Sequence, residues 1–190
     1  MIISLIGYMG SGKSHISKVL SQKLNLKLFD LDRQISLKNK MTIPEIFEKK
    51  GEIYFRIQEN HILNEILDST DDFILSVGGG TPAYFNNMEI INRYSESVFL
   101  QTSMKTLSER ILKQKDKRPL VAKIADEDLP EFIAKHLFER NVFYSQAKHK
   151  VTTDGKSPEE IAEEVADIFQ SLSPSKSLKN KSQSPSSKEE

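Results

Sequence analysis

Residues 7–14 read Gly7-Tyr8-Met9-Gly10-Ser11-Gly12-Lys13-Ser14, a full G-x-x-x-x-G-K-[ST] string. Glycines at these positions let successive backbone N–H groups converge on a phosphate, and a helix beginning at the last of them adds partial positive charge. Lys13 has the reach to touch β- and γ-phosphates, and the Ser14 hydroxyl can ligate Mg²⁺. A glycine-rich turn could match the string by accident. The flanks argue otherwise, because an apolar β-branched run at 2–6 precedes it and Ile16, Val19, Leu20 and Leu24 follow at helical spacing. Strand, loop and helix together point to a nucleoside triphosphate.

Further residues carry chemistry of their own. Asp30-Leu31-Asp32 closes a second strand-like run. Two carboxylates so placed could divide two tasks, one holding hydrated Mg²⁺ beside Ser14 and the other accepting a hydrogen bond from a substrate hydroxyl. The plainer alternative is a helix N-cap, where Asp is favoured. Gly78-Gly79-Gly80 follows a third run and offers bare N–H groups with space for a small ligand. A tight strand-to-helix turn would need one or two glycines. Arg56 and Arg140 fall in helical patterns, where they are either surface residues or bidentate partners of an anion. Arg118-Pro119 lies within 113–128, a polar stretch long enough to form a mobile lid. His15, His61, His136 and His149 have no metal-ligand spacing.

Elements that must position these groups are legible in the hydrophobic pattern. Five apolar runs read as strands, at 2–6, 26–29, 73–77, 97–100 and 150–153, and helical patterns separate them. The first and third are apolar enough to be buried on both faces, as in a parallel sheet covered by helices. Thr42-Ile43-Pro44-Glu45 is a capping box, and Gly51 ends the helix it opens. A second helix spans about 52–68 and carries Phe55 and Arg56. Thr102 or Ser103 caps the helix holding Leu107, Arg110 and Ile111, and Ser157-Pro158-Glu159-Glu160 opens the last one. The expected fold is α/β, with ligands beyond the carboxyl ends of the strands.

Composition narrows the class. The 190 residues are 37% hydrophobic and 28% charged, with zero formal net charge, which fits one globular domain and gives no field for nucleic acid or a membrane surface. No apolar stretch approaches a bilayer span, and the short apolar start lacks the basic leader of a secretory signal. There is no cysteine, so disulfides and thiolate chemistry are excluded; a cytoplasmic location is expected. Beyond a domain at 1–172, the Ser/Lys-rich segment 173–190 has too few apolar residues to fold and is expected to be disordered.

Taken in order, the chain resembles the shikimate kinase family from Met1 to about Leu172. The residues that carry the likeness are the methionine-containing phosphate loop, Asp30-Leu31-Asp32, Ile46-Phe47, and Gly51-Glu52-Ile53-Tyr54-Phe55-Arg56. They continue with Gly78-Gly79-Gly80, Arg118-Pro119-Leu120, and Arg140 four before Tyr144. The resemblance implies a three-layer, nucleoside-monophosphate-kinase-like fold with a five-stranded parallel sheet in the order 2-3-1-4-5. It implies ATP-dependent phosphorylation of the 3-hydroxyl of shikimate, on the way to chorismate and aromatic amino acids, with Mg²⁺ as cofactor and a monomeric chain. Carried over by position, Gly10, Ser11, Gly12, Lys13, Ser14 and His15 meet the nucleotide phosphates. Ser14 and, through water, Asp30 hold the metal, and Arg118 closes over the phosphates. Arg110 and Pro158 flank adenine. Asp32 takes the substrate hydroxyls, while Arg56, Arg140 and the backbone of Gly78, Gly79 and Gly80 take the carboxylate and ring. Phe47 and Phe55 wall the pocket. Val142 and Phe143 stand where the family often has proline, which leaves the local helix start open. Three rivals share the fold: a kinase for another hydroxy acid such as gluconate, a nucleoside monophosphate kinase, and a binder without catalysis.

Overall fold

The computed structural model describes residues 1–115 and 121–172, so Arg118, Pro119, Leu120 and the 173–190 tail lie outside the described residues. Five strands, β1 (Ile2–Ile6), β2 (Lys27–Asp30), β3 (Phe73–Ser76), β4 (Glu96–Gln101) and β5 (His149–Thr152), form one sheet in the order β2-β3-β1-β4-β5. Every pairing is parallel. The order matches the expected 2-3-1-4-5, and observed strand limits move by a residue or so from the sequence reading.

Strand periodicity explains the layers. Ile2 and Ile6 of β1 face a core shared with Leu75, Val77 and Phe99, while Ile3 and Leu5 face Ile74, Val98, Leu100 and Val151. Helix α1 (Lys13–Leu24) packs against α7 (Pro158–Leu172) over the second face, supplying Ile16, Leu20, Ile161, Val165 and Phe169. The first face is covered from α2 (Leu31–Asn39), α3 (Ile43–Leu67), α4 (Asn87–Tyr94), α5 (Met104–Leu112) and α6 (Leu129–Tyr144). Burial of each large aliphatic side chain contributes roughly 1.5–3 kcal/mol, so two filled faces account for a sheet apolar on both sides.

Local signals are realised as hydrogen bonds. Thr42 Oγ1 accepts from Glu45 N, and Glu45 Oε2 accepts from Thr42 N, completing the capping box. Ser103, rather than Thr102, caps α5, and Ser157 forms a second box with Glu160. Helix α6 runs unbroken through Val142 and Phe143, so no helix starts there. Within 113–128, Val121 is fully buried and Ile124 packs on the core, which anchors the far arm of that segment.

Gly51 interrupts α3. Its φ of 82° and ψ of 170° break the helix into the two segments expected from sequence and set the direction of the part that carries Phe55 and Arg56. A Cβ at Gly51 would meet nothing within 4 Å, so the demand for glycine comes from the backbone alone. We expect Gly51→Ala to cost about 1–3 kcal/mol. At about 2–4 °C per kcal/mol for a chain of this size, calorimetry will read a clear fall in Tm; an unchanged Tm would show that the kink is unstrained.

Candidate functional site

At the carboxyl ends of the strands lies a cleft of about 620 Å³. The phosphate loop from Met9 to His15 lines it, together with Asp30, Asp32, Gly78, Gly79, Arg110 and Pro158. Gly12, with φ at 94°, is the N-cap of α1 and makes no side-chain cap, and no acidic residue sits in the first turn. The positive end of that helix is thus directed into the cleft without local neutralisation. Lys13 Nζ donates to the carbonyls of Gly7 (2.6 Å) and Tyr8 (3.0 Å), which holds it across the loop. Ser11 is buried, and its Oγ has no hydrogen-bond partner among the described residues. Ser14 and His15 are exposed at the helix start. Arg110 Nη1 donates to Gly10 O at 3.2 Å and so lies beside the loop, with Pro158 on the same cleft wall.

Asp30 fulfils the plainer reading as well as sharing the cleft. Its Oδ1 accepts from Arg33 N and caps α2. Asp32, in the first turn of α2, is open to the cleft yet crowded by protein, because the surface around it is concave. Desolvation pushes its carboxyl up to about 6, with the charges of Asp30 and Glu59 adding to the effect and Lys13 and Arg56 opposing it. A carboxylate tuned this way is a better proton acceptor than an ordinary one.

Space is tight at all three glycines. A Cβ on Gly78 would stand 3.1 Å from Asp32 Oδ1 and 3.0 Å from Thr81 Oγ1. On Gly79 it would stand 3.3 Å from Met9 N, and on Gly80 3.0 Å from Arg56 Nη2. One short segment therefore touches the phosphate loop, the aspartate and the arginine at once. The turn reading explained one or two glycines; close approach explains all three. Tyr144 fixes the segment from behind, its buried hydroxyl donating to Gly79 O at 2.5 Å. Burial pushes that hydroxyl up to about 12, with the charge of nearby Arg140 opposing the shift.

Arg56 lies half-buried against the Tyr84 ring, 3.8 Å from its centroid. Its Nη1 donates to Glu59 Oε2 at 3.0 Å, and Glu59 Oε1 accepts from Thr81 Oγ1 at 2.6 Å. Arg140 approaches the Tyr8 ring at 5.5 Å. Phe47 and Phe55 stack at 4.6 Å between centroids, Phe55 being buried. Sequence reasoning passed over Glu59, Tyr84, Tyr8 and the cleft-lining Lys156. Only Glu59 had a usable signal, a carboxylate three residues after Arg56 on a buried helix face. Among the described residues no cluster of three or more His, Cys, Asp or Glu could hold a metal, and no helix is long and apolar enough to cross a membrane.

A parallel α/β sheet with a phosphate loop after its central strand, and a carboxylate and arginines around the adjoining cleft, defines a P-loop phosphotransferase of the nucleoside-monophosphate-kinase-like class. The family model for shikimate kinase matches residues 9–170. A shikimate kinase of Flavobacterium psychrophilum is 45% identical over 168 residues, 88% of this chain and 98% of the relative; that of Flavobacterium johnsoniae is 44% identical over equal shares. The crystal structure of shikimate kinase from Bacteroides thetaiotaomicron superposes with a TM-score of 0.81 at 34% identity, covering 90% of this chain and 97% of the other. The shikimate complex of the Acinetobacter baumannii enzyme gives 0.80 at 29% identity, covering 90% and 93%. The chain belongs to the shikimate kinase family.

Raising the Asp32 pKa has a stability consequence of fixed sign. Above about pH 6 the folded protein holds an ionised carboxylate in an unfavourable setting, a cost that vanishes below about pH 4, where folded and unfolded states both bind the proton. Asp32→Asn is therefore expected to raise Tm at pH 8, by a margin that shrinks as pH falls from 6 to 4. Thermal melts across that range check it, and a pH-independent margin would remove Asp32 as the titrating group.

Proposed function

We propose that this chain transfers the γ-phosphoryl group of ATP to the 3-hydroxyl of shikimate, giving shikimate 3-phosphate and ADP, within the route to chorismate and aromatic amino acids. The observation that carries this reading is the single glycine segment touching the phosphate loop, Asp32 and Arg56. A phosphate donor, a hydroxyl acceptor and a carboxylate clamp would then all border one segment. Membership of the shikimate kinase family, and the shikimate bound to the Acinetobacter baumannii enzyme, support the choice of acid.

In this reading the loop from Gly10 to His15 binds the phosphates, Lys13 stabilises charge on the transferring group, and Arg110 and Pro158 flank adenine. Phosphoryl transfer proceeds through a loose transition state, so positioning and charge stabilisation dominate. Asp32 orients the acceptor hydroxyl in line and, with its raised pKa, takes the proton as the bond to phosphorus forms. Arg56 and Arg140 hold the carboxylate, the backbone of Gly78, Gly79 and Gly80 lies along the ring, and Phe47 and Phe55 wall the apolar side. Segment 113–128 acts as the lid that brings Arg118 to the phosphates and excludes water. Mg²⁺ would be held by Ser14 and, through water, Asp30, which are oxygen donors of the kind it prefers and share one cleft. When bound it neutralises charge on the β- and γ-phosphoryl oxygens. The same reading takes the chain as a monomer acting on small molecules in the cytoplasm, without nucleic acid or membrane partners.

Coupled measurement of ADP release should respond to shikimate and stay at background with gluconate or nucleoside monophosphates. Turnover of either alternative would redirect the assignment to a rival on the same fold. Arg56→Ala should weaken shikimate binding by about 2–5 kcal/mol, and Arg56→Lys should fail substantially because lysine lacks the planar fork. Nucleotide affinity should stay near normal in both. A neutral amide analogue should bind the unaltered protein poorly and lose little more on Arg56→Ala, since two changes to one interaction do not add. Independent losses would remove Arg56 from the carboxylate.

A further inference from the structure

Two carboxylates hold Arg56, and they differ sharply in burial. Glu59 is 1% exposed and shared with the hydroxyl of Thr81, so it is a fixed partner. Glu52 is 53% exposed, against 13% for Arg56. Its Oε1 accepts from Arg56 Nε at 3.3 Å and Nη2 at 3.2 Å, and from Tyr84 Oη at 2.9 Å. A guanidinium offers a carboxylate two forked edges. Glu59 draws on Nη1, and a Cβ on Gly80 would stand only 3.0 Å from Nη2 and 3.1 Å from Nη1, so that side of the guanidinium has little room. The Nε–Nη2 edge is the one that opens outward, and Glu52 occupies it.

We propose that Glu52 is an exchangeable stand-in for the substrate's carboxylate: it plugs the Nε–Nη2 edge of Arg56 and swings into solvent when an anionic substrate takes that edge. The proposal rests on the reading of Arg56 as the carboxylate clamp. Its physical basis is charge balance. Arg56 is mostly buried, and a ligand that ejected Glu52 without bringing an anion would leave the guanidinium short of a partner. Exchange of one carboxylate for another keeps the count constant, whereas a neutral occupant would leave the buried guanidinium one anion short. Glu52 can leave because more than half of its side chain already faces water. The Tyr84 hydroxyl foremost, and then Arg56 and Arg140, hold its carboxyl below the ordinary range, so it is ionised at neutral pH and sits in the field of both arginines. Sequestering the competent edge reduces apparent affinity by the fraction of molecules left unplugged.

The test is calorimetric titration of the full chain with shikimate and, separately, with its neutral amide. Glu52→Gln should tighten shikimate by about two- to fivefold, the scale of a half-exposed ion pair. Tyr84→Phe keeps the ring over Arg56 but removes the hydroxyl that steadies Glu52, and should tighten it in the same direction. Unplugging helps any occupant, so the amide should tighten by a similar factor in Glu52→Gln. Tightening confined to shikimate would mean repulsion between two anions at a distance and would overturn the plug. Unchanged or weaker shikimate binding in Glu52→Gln, with the Arg56→Ala loss intact, would overturn it too while leaving the clamp standing. If Arg56→Ala itself left shikimate binding untouched, the clamp beneath the proposal would fall, and the plug with it.

Discussion

A carboxylate cannot stay buried and ionised without partners, and Glu59 is 1% exposed in the middle of α3. Its two oxygens commit Arg56 on one side and Thr81 on the other. Thr81 begins the short 3₁₀ turn that follows the triple glycine, and Asn87, itself buried and paired with Asn60, donates to the Thr81 carbonyl. One buried charge thus ties helix α3, the glycine segment and the start of α4 into a single unit. Removing one member of such a set leaves another stranded, with a cost of about 3–5 kcal/mol in comparable buried pairs. Arg56 is held in place by that constraint before any substrate arrives.

The opposite wall is held by backbone. Gly79 lies against Met9 of the phosphate loop, and the Tyr144 hydroxyl reaches from the end of α6 to the Gly79 carbonyl. Arg140 lies close enough to Tyr144 for its charge to act on that hydroxyl, so the second arginine neighbours the residue that holds the glycine segment. The two arginines come from helices far apart in sequence, yet both are referenced to the same three glycines. Precision of this kind suits phosphoryl transfer, where placing donor and acceptor is most of the work.

How much of this was legible in the sequence depended on the range of the interaction. The five strands, the capping box at Thr42, the cap at Ser157 and the break at Gly51 follow from neighbours within a few residues, and they were read to within a residue or so. The phosphate loop was equally plain because its string and its flanks are contiguous. Tyr84 and Tyr8 were missed because what matters about them is a contact with a distant residue, which neither helical spacing nor composition records; Glu59 was missed although its spacing from Arg56 was a usable sign. Asp30 shows a different limit. Its N-cap and metal readings were set against each other, but a carboxylate has two oxygens, and capping with Oδ1 does not exhaust it. The segment 113–128 read as polar throughout, although Val121 is buried, because one apolar residue among charges gives no periodic signal.

The electrostatics of the cleft show why such a site is not built for stability alone. Asp30, Asp32 and Glu59 are near enough for the first and last to raise the pKa of the middle one, and burial raises it further. Lys13 and Arg56 oppose that shift without cancelling it. A more stable protein would hold a neutral amide at Asp32, but on the proposed reading a carboxylate there receives the acceptor hydroxyl's hydrogen bond and its proton, and an amide could not take the proton. The folded core on both faces of the sheet carries that cost. Arg56 presents the complementary case, since its charge is balanced by one permanent and one exposed carboxylate. On the proposed reading, the acceptor hydroxyl relieves the unfavourable charge at Asp32, and an acid takes over the exposed partner of Arg56. Strain at the reacting group and exchange at the recognition group then fall on different residues that border the same glycine segment.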